Sequence, residues 1–461
     1  MVYTHAHRYC IPPDAPRKRA GYDLRKAPLI VAVLAWFAVA PAWAVEPSES
    51  VAHALQQIES KRFGLARSYL DTVVIDTRLS GVQRARAYYY RGYAFIAEGL
   101  YVSAAQDYER ALELDPGNST VLAELGRLYA NGDGVARNPA TAFKLFLKAA
   151  RGGNDTARLY VGYALLTGAG TPTDVPKARY WLRESADAGH VDALVQLARS
   201  YRVPFADPPD LDRALALYQL AVDKGSLEAL TALGYVYLGG ETGTPDLQRA
   251  TQYFRQAAQG NSPAAQTALG FMSIADHQYA AARQWFERAA AVQYPEAFTG
   301  LGRLYQEGLG VAASRTRAIE SYAKGATLGD VQAQLRLASL DLAPPVSQTN
   351  TESALRWLRL AAEQDHPQGH NGLAWVLATS RFDRLRDGAT AVVEANRATT
   401  LTRTASTLDT LAAAYAESGD FDKAVATQRD ALAALAQDQH ALRDAFEQHL
   451  DRYLKQQPWR E

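Results

Sequence analysis

Apolar residues in this chain fall three and four positions apart, in blocks that recur at a fixed interval. Gly126, Gly162, Ala198, Gly234 and Gly270 are each 36 residues apart. After one 32-residue step the beat resumes at Gly302, Ala338 and Ala374. A second column keeps the same phase and the same short step: Ala142, Ala178, Ala214, Ala250, Ala282, Ala318 and Ala354. Within each block an alanine is followed at i+4 by a bulky apolar residue and at i+7 by a small one, as in Ala142/Phe146/Ala149 and Ala282/Phe286/Ala289. That spacing is one face of a helix. Two small-residue columns in fixed phase predict two helices per period, each pressed against its neighbour, stacked as an α-solenoid. Glycine inside a helix costs about 1 kcal/mol relative to alanine, so its recurrence points to close backbone packing.

The polar positions mark where the helices begin. Asn154, Ser226, Ser262 and Asp330 stand in one column, three residues ahead of a small residue, and all are good N-caps. Pro263, Pro295 and Pro367 occupy the next position, the favoured first-turn place for proline. Gly132-Asp133-Gly134, Gly168-Ala169-Gly170, Pro208-Pro209, Gly239-Gly240 and Pro344-Pro345 punctuate the predicted inter-helix loops. The 32-residue step falls at Asp276-His277-Gln278, where the loop is trimmed. Leu442, Phe446, Leu450 and Tyr453 predict a last amphipathic helix that caps the stack.

Tyr88, Gly92, Phe95, Ala104, Tyr108, Ala111 and Pro116 have the spacing of the tetratricopeptide repeat, which this segment resembles. The following units, such as LGRLYANGDGVARNPATAFKLFLKAARGGN from Leu125 and LGRLYQEGLGVAASRTRAIESYAKGATLGD from Leu301, are similar to the Sel-one-like repeat, a longer relative with a glycine-containing loop. Ala412, Tyr415, Ala424 and Ala431 return to the tetratricopeptide pattern, and Ala54, Ala66 and Leu70 mark a weaker first unit. The resemblance implies an all-α fold: a right-handed α-α superhelical solenoid. The expected layout is a leader over 1–44, tetratricopeptide units over 45–116, Sel-one-like repeats over 117–380, tetratricopeptide units over 381–435 and a capping helix over 436–461.

The first 44 residues stand apart. A basic lead (Arg17, Lys18, Arg19, Arg25, Lys26) precedes a 14-residue apolar run, Ala27 to Ala40, and then Ala42-Trp43-Ala44. The run is short for a membrane-spanning helix, which needs about 20 residues. The pattern reads as a secretory signal cleaved after Ala44, giving a periplasmic or secreted protein, with an uncleaved anchor as the alternative. The only cysteine, Cys10, would leave with it, so the mature chain holds no disulfide or thiolate metal site. The whole chain has 49 basic and 49 acidic residues. Removing the leader leaves 43 against 47, a net charge of −4. Neither balance suits a general nucleic-acid or anionic-membrane binder, and no membrane insertion is expected after cleavage.

Chemistry is sparse. His190 and His366 stand in the N-cap column, and His440 and His449 read as solvated positions of the last helix. His366 and His370 have helical zinc spacing, but Pro367 and Gly369 intervene and no third ligand is evident. Asn131-Gly132-Asp133-Gly134 lacks the ligands of a calcium loop and reads as a turn. No nucleophile elbow or phosphate loop stands out. We therefore expect no catalytic residues, no metal and no cofactor: a non-enzyme. One column invites a binding role. By the resemblance, the residue after the small one on each first helix faces the concave groove; here these are Tyr93, Arg127, Tyr163, Arg199, Tyr235, Phe271, Arg303 and Trp375, with Ser339 between the last two. Aromatics and arginine dominate binding hot spots. The expectation is a scaffold or adaptor with a protein or peptide partner in the groove. By analogy with Sel-one-like envelope proteins, its setting would be envelope or exopolysaccharide assembly. The alternative is a glycan-binding module for polysaccharide or peptidoglycan.

Overall fold

The computed structural model describes residues 49–202, 208–436 and 439–461; the leader and its cleavage position lie outside the described residues. Among the described residues there are 23 α-helices and no strands. They fall into two compact units, divided along the chain between Ala229 and Leu230. The first unit holds helix pairs α1 (Glu49–Glu59) and α2 (Phe63–Val74), α3 (Gly81–Ala97) and α4 (Tyr101–Leu114), and α5 (Ser119–Asn131) and α6 (Pro139–Arg151). It continues with α7 (Asp155–Thr167) and α8 (Val175–Asp187), then α9 (Val191–Arg202) and α10 (Leu211–Asp223). The division falls inside helix α11 (Leu227–Gly239), after its third residue.

The second unit continues with α12 (Leu247–Gln259), α13 (Pro263–Ala275), α14 (Tyr279–Ala291), α15 (Pro295–Glu307), α16 (Arg315–Thr327) and α17 (Val331–Asp341). It ends with α18 (Gln348–Glu363), α19 (Pro367–Thr379), a short 3-10 turn at Asp383–Leu385, α20 (Gly388–Leu401), α21 (Ala405–Glu417), α22 (Phe421–Ala433) and α23 (His440–Leu454). The fold class is the all-α solenoid of helix pairs that the periodicity requires.

Many of the helices start on a capping side chain. Asn154 accepts a hydrogen bond from the Ala157 amide at 2.8 Å, Ser226 from Ala229 at 3.1 Å, Ser262 from Ala265 at 3.3 Å and Asp330 from Ala333 at 3.0 Å. The second helices have their own column of caps, Asp174, Asp210, Asp246 and Ser314, that periodicity alone does not single out. Such a cap contributes about 1 kcal/mol. His366 holds the N-cap place of α19 without a side-chain cap hydrogen bond.

Packing explains the small-residue ruler. A Cβ on Gly162 would lie 2.6 Å from Leu182 Cγ, one on Gly234 2.5 Å from Phe254, and one on Gly302 2.5 Å from Tyr322. In these long units the glycine and the bulky residue are 20 positions apart. Across the trimmed loop, Gly270 meets Phe286 after only 16, as Gly92 meets Tyr108 in the tetratricopeptide unit. The four residues are thus removed from the loop and the interhelical contact is kept.

Loop glycines also tie units together. Gly170 has φ +77°, and a Cβ there would lie 2.1 Å from the carbonyl oxygen of Pro139, the first residue of α6 in the preceding pair. Gly134 approaches the Tyr101 backbone at the start of α4 in the same way. Gly170→Ala is expected to destabilise the first unit by about 2 kcal/mol, from the left-handed conformation plus the opened contact. Thermal unfolding checks this, and an unchanged midpoint would refute it.

The last helix differs from expectation in its rotation. Its buried face is Phe446, His449 and Tyr453, while Leu442 is 48% exposed.

Candidate functional site

The column of aromatics and arginines lies one position beyond each small residue, on the edge of the first helix of each pair. This position lies beside the face that meets the second helix of the pair. Tyr93, Tyr163 and Arg199 in the first unit, and Tyr235, Phe271, Arg303 and Trp375 in the second, are all half-buried. The Tyr235 ring stands edge-on to Phe254 with centroids 5.0 Å apart, and Phe271 makes the same contact with Phe286. Arg303 is held by Glu307 at 3.0 Å, one turn along α15. Arg127 is the exception. It is only 7% exposed, with Nε donating to Glu124 at 3.1 Å and Nη2 buried without a hydrogen bond. It belongs more to the interior than to an open face. Burial and the nearby Glu124 carboxylate raise the Tyr93 hydroxyl above its usual range.

A second aromatic column went unread in the sequence although it obeys the same ruler. Tyr201, Tyr237, Tyr305 and Tyr415 each lie three residues beyond the small position, and each takes a cation over its ring. The cations are Arg213 at 5.0 Å, Arg249 at 5.4 Å, Arg317 at 5.6 Å and Lys423 at 5.5 Å. Three of these cations also pair with the N-cap aspartate of their own helix: Asp210, Asp246 and Asp420. Exposed pairs of this kind contribute little each. Repeated from pair to pair, they fix how the second helix starts against the first. This second column is structural.

The histidines are placed differently from the sequence reading. His440 is exposed, but His449 is 6% exposed and its Nδ1 lies 2.8 Å from Asp409 Oδ1. The reading of His449 as a solvated position is overturned: the helix turns that edge inward onto a buried carboxylate. Gln428, fully buried, donates to the same Oδ1 at 2.6 Å. His370 lies between Glu394 (2.5 Å) and Asp365 (3.3 Å), and Asp365 also takes a bidentate pair from Arg397. That guanidinium, ahead of the opposing effect of burial, holds the Asp365 carboxyl below the usual range. These contacts join α20 to α19 and to the turn before it. Among the described residues no group of three or more His, Cys, Asp or Glu side chains is arranged to hold a metal ion, and no helix is long and apolar enough to cross a membrane.

The profile of the Sel1 repeat matches seven times, at 121–154, 156–190, 191–226, 227–262, 263–292, 295–330 and 331–366, together more than half of the chain. The chain belongs to the Sel1 repeat family. The fifth match ends at 292, so the trimmed unit is itself a Sel1 repeat. A tetratricopeptide repeat matches at 85–118, where the shorter glycine-to-tyrosine spacing is found. Sel1 and tetratricopeptide repeats generally mediate protein–protein interaction.

Similar solved structures include c5321, a protective antigen of uropathogenic Escherichia coli with an SLR fold. It is 22% identical over 88% of this chain and 92% of that one, with a TM-score of 0.44. A Sel1 repeat protein from Oxalobacter formigenes is 24% identical over 74% of this chain and 98% of that one, with a TM-score of 0.41. The Cut9–Hcn1 hetero-tetramer of the APC/C covers 88% of this chain and 79% of that one at 17% identity and a TM-score of 0.51, a likeness of fold. No curated protein matches the sequence.

Proposed function

We propose that this Sel1 repeat protein is a non-enzymatic scaffold of the cell envelope, exported by its leader and holding a protein or peptide partner on the inner edge of its first helices. The observation that carries this is the column itself. Tyr93, Tyr163, Tyr235, Phe271 and Trp375 alternate with Arg199 and Arg303, all half-buried and spaced by the repeat. A half-buried aromatic held by its neighbours, as Tyr235 is by Phe254 and Phe271 by Phe286, has little rotamer freedom left to lose. That is the composition and the preorganisation that binding hot spots use. The leader pattern supports an extracytoplasmic setting.

The test is a pull-down from envelope extract with the double variant Tyr163→Ala/Arg199→Ala in the first unit and, separately, Tyr235→Ala in the second. Helicity is checked by circular dichroism. Partner affinity should fall at least about fivefold for Tyr235→Ala and at least about twentyfold for the double variant if these side chains sit at hot spots of about 1–2 kcal/mol each. Unchanged recovery with both folded variants would remove the reading.

A further inference from the structure

At Trp375 the recognition column is already occupied. The segment Pro458-Trp459-Arg460-Glu461, which follows α23, returns to the end of α19 and lies half-buried against it, except for the exposed Glu461. The reason starts with how α19 ends. Helices α5, α7 and α15 close on a glycine in the left-handed conformation. Helix α19 instead runs into Ser380 in an extended conformation, with no such closure. The Asp387 amide takes the Leu377 carbonyl at 3.0 Å, the last two carbonyls are left to find partners elsewhere, and the tail supplies them. The Glu461 amide donates to Thr379 at 2.9 Å and Arg460 Nη1 to the Ala378 carbonyl at 3.3 Å. Arg386 donates to the Ser380 carbonyl at 2.9 Å. Two cations thus sit at the negative end of the helix dipole.

The side chains match as well. Trp375 Nε1 donates to the Glu461 carboxylate at 2.9 Å. Arg460 approaches Glu417 Oε2 at 2.6 Å, an ion pair off the hydrogen-bonding direction. Glu417, 13% exposed, is braced from its other oxygen by Arg386. The Trp459 ring rests 4.4 Å from the His449 ring, which is also in contact with Trp375. The helix bundle therefore aims four polar groups at one strip: the Ala378 and Thr379 carbonyls, Glu417 Oε2 and Trp375 Nε1. An aromatic platform adjoins them. The turn at Gln456-Gln457 that delivers the tail is exposed.

We infer that this strip is a peptide-recognition site for an extended segment carrying an aromatic residue, then arginine, then an acidic residue. In the resting protein it is filled in cis by residues 458–461, so that a partner bearing such a segment binds by displacing the tail. The inference deepens the proposed function, on which it rests, by naming the chemistry of one subsite. Main-chain pairing to the helix end gives the segment its register, and Glu417 and Trp375 read its charges. A partner must compete with a tethered ligand whose effective concentration is about millimolar.

The test uses the amidated peptide Gln-Gln-Pro-Trp-Arg-Glu and a control with alanine for tryptophan and glutamate for arginine. Three proteins are titrated by calorimetry: the intact chain, a chain ending at Lys455, and the full-length variant Trp459→Ala/Arg460→Ala. The tail-free and tail-released proteins should bind the peptide at least about tenfold more tightly than the intact chain, and should ignore the control. Glu417→Gln in the tail-released protein should weaken binding further. If truncation costs helicity, the full-length variant carries the comparison. Absence of peptide binding to a folded tail-released protein overturns the inference, as does equal binding to the intact chain. A tail that only exchanges between copies, seen as a dimer with no uptake of free peptide, also overturns it. Failure here with a positive pull-down result at Tyr163 and Arg199 leaves the scaffold reading standing.

Discussion

Phe286→Ala is expected to lower the stability of the second unit by about 3–5 kcal/mol, the range for removing a fully buried phenylalanine ring. Phe286 is 0% exposed and is clasped from two sides. A Cβ on Gly270 would lie 2.5 Å from its ring, and one on Gly300 of the following helix 2.3 Å. Its edge meets Phe271. Two glycine-lined walls cannot follow a shrinking side chain without moving two helices, so the cavity remains. The diagnostic is the sign of a second change. Gly270→Ala in the parent forces its methyl into the ring and should cost about 1–3 kcal/mol. In the Phe286→Ala background the same change fills space and gains helix propensity, about 1 kcal/mol in the stabilising direction. Urea unfolding of the four proteins measures the coupling. If Gly270→Ala destabilises equally in both backgrounds, close packing is not why glycine stands in this column. Hydrogen exchange should report the loss first in α13 to α16, since each pair contacts only its neighbours.

Much of this fold was legible because it is local and repeated. A glycine that recurs in a helical register has one physical explanation, close approach, and the register names the residue it approaches. Cap columns were legible for the same reason. The column of aromatics and arginines beside the small residues could be traced, but its exposure could not be graded. Arg127 and Arg303 hold equivalent places, yet Glu124 pulls the first inward while Glu307 holds the second along the surface. A carboxylate three or four residues away decides this, and the repeat does not specify that neighbour. The tail at Trp375 was not legible at all. Its partners are 82 and 86 residues distant and belong to no period. His449 was misread because an isolated helix does not reveal which edge a neighbour covers. One signal did exist. Gln428 lies 16 positions beyond Ala412, in the register of Phe286 beyond Gly270, where an apolar side chain belongs. A polar side chain in a core register must find partners.

Those partners make the second large effect. Asp409 is 5% exposed, and its Oδ1 serves Gln428 Nε2 at 2.6 Å and His449 Nδ1 at 2.8 Å, joining α21, α22 and α23 through one atom. Asp409→Ala should cost about 3 kcal/mol, because both donors lose an acceptor where water does not reach, at about 1–3 kcal/mol each. Gln428 retains the Phe446 carbonyl at 3.2 Å, which places its share at the low end. Asp409→Asn keeps an oxygen in place and should cost about half as much. Replacing the whole set, Asp409→Leu with Gln428→Leu and His449→Phe, removes every donor together with the acceptor. This triple variant should be close to neutral or stabilising, as apolar replacements of buried polar sets often are. Denaturant midpoints of the three proteins decide the matter, with exchange of the α23 amides as the local reading. A triple variant less stable than Asp409→Ala would show that shape, rather than unmet hydrogen bonding, dominates this junction. The ordering single alanine, then asparagine, then triple, from least to most stable, follows only if the terminal helix is held through donors that depend on the one Asp409 oxygen inside an otherwise apolar seam.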